Sequence, residues 1–158
     1  MARLFLIPSL LGETDAAAVL PMGAQQRIAH LRHFVVERAK TARHFLKQLA
    51  FPLPELAMSE LNVQTLATAD WQELLRPALV EGVDMGLLSE AGCPAVADPG
   101  SELVRFAHKR GIVVVPLVGA SSILLTLMAS GLGGQCFAFW GYLPVQPQER
   151  RQRLVWLE

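Results

Sequence analysis

Residues 83–100, VDMGLLSEAGCPAVADPG, decide the fold of this 158-residue chain. The first part, Val83–Leu88, is a short apolar run of the kind that forms a buried parallel strand. A loop of small residues with two glycines and two prolines follows, and Asp98-Pro99-Gly100 then opens a helix with proline near its first turn. A turn that only connects a strand to a helix is usually shorter. We therefore expect the backbone of this loop to approach a flat or extended ligand closely.

Short apolar runs alternate with helical segments through residues 1–117, which indicates an α/β domain with an open parallel five-stranded sheet flanked by helices. The predicted strands are Arg3–Ile7, His33–Glu37, Glu55–Glu60, Val83–Leu88 and Ile112–Leu117. The predicted helices are Met22–Leu31, Arg38–Leu49, Thr68–Leu79 with Thr68 or Asp70 as its cap, and a segment from Asp98 to about Arg110. Within Arg38–Leu49, apolar residues at three-and-four spacing predict one buried face.

The pattern changes after residue 117. We predict an apolar helix at Gly119–Ser130, a strand at Phe137–Tyr142 and the start of a basic helix at Glu149–Arg153. One strand and part of a helix cannot close a second core. We therefore expect residues 118–158 to be the incomplete beginning of a second α/β domain, in a protein that continues further.

Composition restricts the class of protein. The net charge is zero, but residues 1–50 carry +4, residues 51–100 carry −7 and residues 101–158 carry +3, so a basic face is compatible with it. Cys93 and Cys136 match no zinc or redox spacing and fit a reduced intracellular protein, and the histidines show no metal-ligand spacing. The uncharged stretch 111–130 is long enough to span a bilayer, but Pro116 and Gly119 favour a strand, a turn and a helix. We expect a cytoplasmic protein without a membrane span or a metal.

Three loops follow strands whose carboxyl ends would meet at one edge of a parallel sheet, where ligands bind. They are Pro8–Glu13, Ser89–Gly100 and Pro116–Ser122. The first has neither a G-x-G-x-x-G pattern nor a P-loop lysine, so a dinucleotide or nucleoside triphosphate site is unsupported. Taken singly, each loop has an ordinary explanation, which for Ser121 is the capping of a helix.

Together, the loops resemble the tetrapyrrole-methylase superfamily, and most closely its ribosomal RNA small-subunit methyltransferase I branch. The second loop, S-E-A-G-C-P-A-V-A-D-P-G, is similar to the D-A-G-T-P…D-P-G loop of that branch. The segment G-I-V-V-V-P-L-V-G-A-S-S corresponds to a V-V-P-x-P-G-P-S-A turn, and W-G-Y-L-P to a G-[FY]-L-P strand. The opening L-F-L-I-P-S-L-L-G-E corresponds to L-Y-x-V-x-T-P-x-G-N. The resemblance covers essentially the whole chain.

The resemblance implies two α/β domains with S-adenosylmethionine bound between them, a homodimer, and a ribosomal RNA substrate methylated on a ribose 2′-hydroxyl. By motif position it assigns the donor contacts to Pro8, Leu11, Ala91, Gly92, Cys93, Val96, Ser121 and Ser122. It assigns no catalytic residue. Glu37, at the carboxyl end of a strand, is a candidate general base, although a cap or a salt bridge explains it better.

The chain departs from that branch at several positions. Where the branch has Glu-Asp-Thr-Arg after its second strand, this chain has Glu37-Arg38-Ala39-Lys40, and Glu90 and Cys93 replace Asp and Thr in the second loop. The third loop lacks both prolines. These changes indicate a divergent paralogue, and they leave open a tetrapyrrole-like or other small metabolite as the acceptor.

A third possibility is a module that binds the donor or a nucleotide without chemistry. If the substrate is RNA, the basic residues from Arg32 to Lys47 and from Arg150 to Arg153 are the natural phosphate contacts.

Overall fold

A computed structural model describes residues 1–49, 61–67 and 70–158, which divide into two compact units, Met1–Leu125 and Thr126–Glu158. The first unit contains a five-stranded sheet in which every strand pair is parallel. Its strands are β1 (Arg3–Leu6), β2 (His33–Val36), β3 (Asn62–Thr65), β4 (Met85–Leu88) and β5 (Val113–Pro116). Their order across the sheet is β3-β2-β4-β1-β5. The predicted α/β class and open parallel sheet are confirmed.

Helices cover both faces of this sheet. Those of the first unit that pack on it are α1 (Ala16–Val19), α2 (Met22–Ile28), α3 (Ala39–Gln48), α4 (Trp71–Leu74) and α5 (Ser101–Lys109). The chain continues with α6 (Ser122–Ser130) and α7 (Pro147–Leu157). Helices α1 to α3 bury their apolar residues against one face, together with Phe5 and Phe34 of the strands. Helices α4 and α5 pack on the other face, against Leu4, Val35 and Leu87. Parallel strands buried on both faces read as near-continuous apolar runs, as the sequence does here.

Helix α3 illustrates how the sequence pattern becomes packing. Ala42, Phe45, Leu46 and Leu49 are all buried, as their three-and-four spacing predicts. The opposite side of the helix is open to solvent and carries Lys40, His44 and Lys47.

One predicted helix differs from the structure, and one short helix of the structure is not predicted. The helix predicted at Thr68–Leu79 is divided into α4, capped by Asp70, and a π-helical turn at Pro77–Glu81. Proline lacks the N–H that would continue the α-helical bonding, so the regular helix ends before it. Thr68, the alternative cap, lies outside the described residues. The short helix α1 was not predicted, although Asp15 caps it by accepting a hydrogen bond from the N–H of Ala17.

Two further predictions concern strands. The strand predicted at Glu55–Glu60 lies outside the described residues, and the third described strand is Asn62–Thr65. The strand predicted at Phe137–Tyr142 is wrong, because these residues form no strand. A strand needs a partner for its backbone hydrogen bonds, and residues 126–158 contain no other strand.

The second unit contains the C-terminal part of α6 and the whole of α7. The rings of Trp140 and Trp156 lie edge to face, with centroids 5.4 Å apart. The guanidinium of Arg153 lies over both rings, 4.2 Å from the centroid of Trp156. Across the described part of the chain, no helix is long and apolar enough to cross a membrane.

Candidate functional site

The candidate site lies at the edge of the sheet where β1, β4 and β5 end. In the sheet, β4 lies between β1 and β2, so the connection from β1 to β2 crosses over β4. The connection from β4 to β5 crosses over β1. These crossovers run in opposite directions, and right-handed connections then place them on opposite faces of the sheet. Adjacent strands whose connections diverge in this way leave a crevice at their carboxyl ends, which is the usual ligand site of an open α/β sheet.

Backbone hydrogen bonds join the first loop to the second. The N–H of Ser9 donates to the carbonyl of Gly92 at 2.8 Å, and the N–H of Gly92 donates to the carbonyl of Ser9 at 3.3 Å. The hydroxyl of Ser9 is buried and donates to the carbonyl of Ser89 at 2.9 Å. The sequence pattern does not mark Ser9 or Ser89, because a serine before a turn carries no signal of such a distant partner.

Gly92 occupies a position that suits only a few residues. Its φ is +69°, in the left-handed region that side chains disfavour. A Cβ added there would lie 3.4 Å from Cδ2 of Leu11 and 3.9 Å from the carbonyl oxygen of Ala120. Gly92 therefore lies where the three loops meet, and it brings Leu11 of the first loop against the second.

The third loop is held by two contacts. A Cβ added to Gly119 would lie 2.4 Å from Cβ of Pro8, so only glycine permits this approach of the backbone to the proline ring. The thiol of Cys93 donates to the carbonyl of Ala120 at 3.5 Å. Burial, and then the negative charge of Asp98, raise the pKa of this thiol, which keeps it protonated and able to donate. The helix predicted from Gly119 begins at Ser122 instead, because Gly119 and Ala120 are held in these loop contacts.

The middle of the second loop stores backbone strain. Ala95 and Ala97 have φ values of +66° and +59°, although alanine rarely adopts this conformation. Strained residues of this kind persist only where the surroundings fix them, and they concentrate at functional sites. In this loop, the segment just before these two alanines, residues 89–92, is held by the hydrogen bonds of Ser9.

The remaining residues assigned by motif lie around this junction. Ala91 and Val96 are exposed on the second loop, and Ser122 is exposed as the first residue of α6. The hydroxyl of Ser121 accepts a hydrogen bond from the N–H of Leu124 at 3.4 Å, which is the capping role expected of it. In the structure, Pro8, Leu11, Gly92 and Cys93 each contact another of the three loops. Ala91, Val96 and Ser122 are exposed on the same loops, and Ser121 is partly exposed.

The segment that follows β2 holds the start of the second loop from the other side. The carboxylate of Glu90 accepts from the hydroxyl of Thr41 at 2.8 Å and pairs with the guanidinium of Arg38 at 3.2 Å. The backbone N–H of Glu90 donates to the carboxylate of Glu37 at 3.1 Å. Glu37 therefore makes a hydrogen bond to the backbone of the second loop, which is neither the cap nor the salt bridge expected of it. Arg38 and Glu90, two of the departures from the family pattern, are partners in one ion pair.

A pocket of about 630 Å³ opens between the first loop and α3. Residues 9–15 form one wall, residues of α3 from Thr41 to Gln48 form the other, and residues 89–91 form the floor. His44 and Gln48 are hydrogen bonded through their side-chain nitrogens at 2.9 Å. Among the described residues that line the pocket, Glu13, Asp15 and Glu90 are acidic and none is Lys or Arg. Its size is typical of sites for small molecules.

Within residues 1–49, 61–67 and 70–158, no cluster of three or more His, Cys, Asp or Glu side chains is placed to hold a metal ion.

Comparison with known proteins assigns the chain. No family model matches it. It is 36% identical over 134 residues to the ribosomal RNA small subunit methyltransferase I of Xylella fastidiosa, covering 85% of this chain and 47% of that protein. It is 33% identical over 142 residues to the protein of the same name from Pasteurella multocida, covering 85% and 49%. It is 50% identical over 76 residues to that of Halalkalibacterium halodurans, covering 48% and 26%.

The chain spans about half the length of the curated relatives that it matches over most of its residues. The motif resemblance, the parallel sheet and these identities agree. The chain belongs to the ribosomal RNA small subunit methyltransferase I branch of the tetrapyrrole methylases.

Proposed function

We propose that the complete protein is an S-adenosylmethionine-dependent methyltransferase that modifies small-subunit ribosomal RNA on a ribose 2′-hydroxyl. The observation that carries the proposal is the junction of three loops at Gly92, because it creates a fixed backbone surface at the edge of the sheet where ligands bind. The relatives that the chain matches are named ribosomal RNA small subunit methyltransferase I.

The geometry of the junction suits the donor. A Cβ added to Gly92 would contact the side chain of Leu11 and lie near the carbonyl of Ala120, so the first and third loops both border the backbone at this position. The residues that would hold the donor are Pro8, Leu11, Ala91, Gly92, Cys93, Val96, Ser121 and Ser122. When bound, S-adenosylmethionine supplies a methyl group activated by its sulfonium. The chain's own contribution is alignment and the exclusion of water, which in-line transfer requires.

Contact with RNA is assigned to the basic residues. Lys40 and Lys47 are exposed on α3, and Arg150 and Arg151 are exposed on α7. Side chains of this kind supply phosphate contacts that position an RNA without reading its sequence. A second domain beginning at residue 118, a homodimer and a cytoplasmic location belong to the same proposal.

Calorimetry with S-adenosylhomocysteine on the complete protein tests the donor site. Gly92→Asp should abolish saturable binding, because it would place a carboxylate against Leu11 at the point where the three loops meet. Aspartate tolerates left-handed backbone better than most residues, so the variant should still fold. The matched control is Gly23→Asp on α2, where an added Cβ meets nothing within 4 Å. Unchanged binding by folded Gly92→Asp would refute the site.

The acceptor is tested by transfer of labelled methyl groups to small-subunit ribosomal RNA that carries no modifications, compared with a fraction of small metabolites. Label in the RNA, recovered after hydrolysis as a 2′-O-methyl nucleoside, is the expected result. Donor binding together with transfer to metabolites alone would refute the RNA substrate.

A further inference from the structure

We propose that the opposite edge of the sheet carries a separate binding site for a phosphate group, in a pocket of about 480 Å³ that we call the amino-edge pocket. The described lining of this pocket includes Arg3, His30, Arg32, His33, Gly82 and Asp84. The inference goes beyond the proposed function, because it involves neither the methyl donor nor the group that is methylated.

The amino-edge pocket lies where three strands begin. Arg3 is the first residue of β1, His33 is the first residue of β2, and Asp84 directly precedes β4. The three loops of the candidate site follow the opposite ends of β1, β4 and β5. Since each strand has four residues, about 13 Å of extended backbone separates the two edges. A phosphate group bound at this edge therefore takes no part in the proposed methyl transfer.

The charge of the amino-edge pocket is positive. Its one described acid, Asp84, accepts hydrogen bonds from Nε of Arg3 at 2.9 Å and from Nε2 of His30 at 3.0 Å. Burial would raise the pKa of Asp84, but these bonds outweigh it and lower the pKa to about 2. Asp84 is therefore ionised at neutral pH, and the charge of Arg3 balances it. Arg32 has no carboxylate partner among the described residues, so its charge is uncompensated.

Arg32 is held in place by bonds that use only part of its guanidinium. Its Nη1 donates to the carbonyl of Leu31 at 3.0 Å and lies near that of Ala29, at the C-terminal end of α2. Bonding to the last carbonyls of a helix is an ordinary role for arginine, but here it occupies one of three nitrogens. No acceptor among the described residues is bonded to Nε or Nη2. These two nitrogens can donate side by side to two oxygens of a phosphate.

The neighbouring histidine supplies a further donor. Nδ1 of His33 lies 3.3 Å from the amide nitrogen of Asn62, the first residue of β3. An amide nitrogen only donates, so Nδ1 accepts and the proton of the neutral ring lies on Nε2. Together, the donors of Arg32 and His33 outnumber the two oxygens of a carboxylate. They suit a phosphate group, which offers more oxygens to accept them.

Two substitutions change the charge of the amino-edge pocket, each with a matched control. Arg32→Gln removes the guanidinium, and Arg105→Gln removes the same group from an exposed position on α5. Gly82→Asp adds a carboxylate where φ is +68° and an added Cβ meets nothing within 4 Å. Gly82→Asn is its control, because both residues tolerate left-handed backbone and they differ in charge. Thermal unfolding establishes which variants are folded, and the Gly82 pair decides if Arg32→Gln is not.

The complete protein is titrated with inorganic phosphate by calorimetry, and with a fluorescent oligouridylate RNA by anisotropy. Inorganic phosphate should bind saturably, and Arg32→Gln and Gly82→Asp should weaken it by about tenfold or more, because charge-assisted hydrogen bonds are lost or opposed. Both controls should bind it like the wild type. Absence of saturable phosphate binding in the wild type would overturn the proposal, and so would equal affinity in Gly82→Asp and Gly82→Asn.

The RNA titration distinguishes the two sources of a phosphate group. If the pocket variants that weaken phosphate binding also weaken the RNA complex relative to their controls, the ligand is the backbone of an RNA. If they leave the RNA complex unchanged, the ligand is a free phosphorylated metabolite. Both results support the phosphate site, and neither depends on whether the protein transfers methyl groups.

Discussion

Replacing Gly119 by alanine should force the first and third loops apart. The added Cβ would lie 2.4 Å from Cβ and 2.5 Å from Cγ of Pro8. Ordinary van der Waals contacts begin at 3.4 Å, so each of these distances is about 1 Å too short. The ring of proline cannot rotate away as a flexible side chain can. The overlap must therefore be relieved by movement of the backbone.

The expected cost lies at the upper end of the range for overpacking, about 2–3 kcal/mol, because two rigid atoms are overlapped. For a chain of this length, such a loss lowers the unfolding midpoint by roughly 5–10 °C. Displacement of the third loop should also weaken the proposed binding of S-adenosylhomocysteine, because the carbonyl of Ala120 lies beside Gly92 at the junction of the loops.

Urea and thermal unfolding of the wild type and Gly119→Ala measure the first effect. Gly23→Ala is the matched control, and it should raise stability by about 0.5–1 kcal/mol because it lies in a helix with open space around it. A second background, Pro8→Gly, removes the atoms that the new Cβ would meet. In that background Gly119→Ala should cost less than about 0.5 kcal/mol, since the two changes act on one contact. An equal cost in both backgrounds would refute the explanation, and so would a neutral single substitution.

Two other predictions concern ion pairs. Burial alone would raise the pKa of Asp84, but hydrogen bonds from Arg3 and His30 outweigh it and lower the pKa from 3.8 to about 2. A carboxyl whose pKa is lowered on folding stabilises the protein fully above its unfolded pKa, and this contribution is lost as the pH falls from about 4 to 2. The difference in unfolding free energy between wild type and Asp84→Asn should therefore shrink across that interval in acid titrations, and a constant difference would contradict it. Arg38→Glu should lower the free energy of unfolding, because it places two carboxylates together. Adding Glu90→Arg should restore the ion pair, so the double-mutant cycle should give a coupling energy of about 0.2–1 kcal/mol. Additive effects would show that the two side chains do not interact.

The sequence predicts β1, β2, β4 and β5 well because parallel strands that are buried on both faces form nearly continuous apolar runs. It does not predict β3, because the residues of that strand, Asn-Val-Gln-Thr, are mostly polar. It also predicts the face of α3 that is buried, because that depends on local spacing. It fails at Phe137–Tyr142, where the apolar run is typical of a strand but residues 126–158 provide no second strand to pair with it. The local sequence pattern indicates a tendency to form an extended backbone, whereas strand pairing depends on whether another strand is available.

At the candidate site, the sequence identifies the loops but not the contacts that join them. The motif positions predict that Pro8, Leu11, Gly92 and Cys93 lie at the site. In the structure, each of these residues contacts another of the three loops. Ser9 was missed because its bonds run to residues 80 and more positions away. The partnership of Arg38 with Glu90 was missed for the same reason, since each looked like an isolated departure.

The bond between the first two loops has a consequence for how this surface tolerates change. Ser9 and Gly92 are paired through their main-chain atoms, so the pairing does not depend on which side chains stand beside them. Neighbours such as Glu90 and Cys93 can be exchanged while the geometry of the loop persists, provided that the left-handed turn at residue 92 is kept. The backbone geometry of this surface can therefore be kept while its side chains change, so that the same loops can come to bind different ligands.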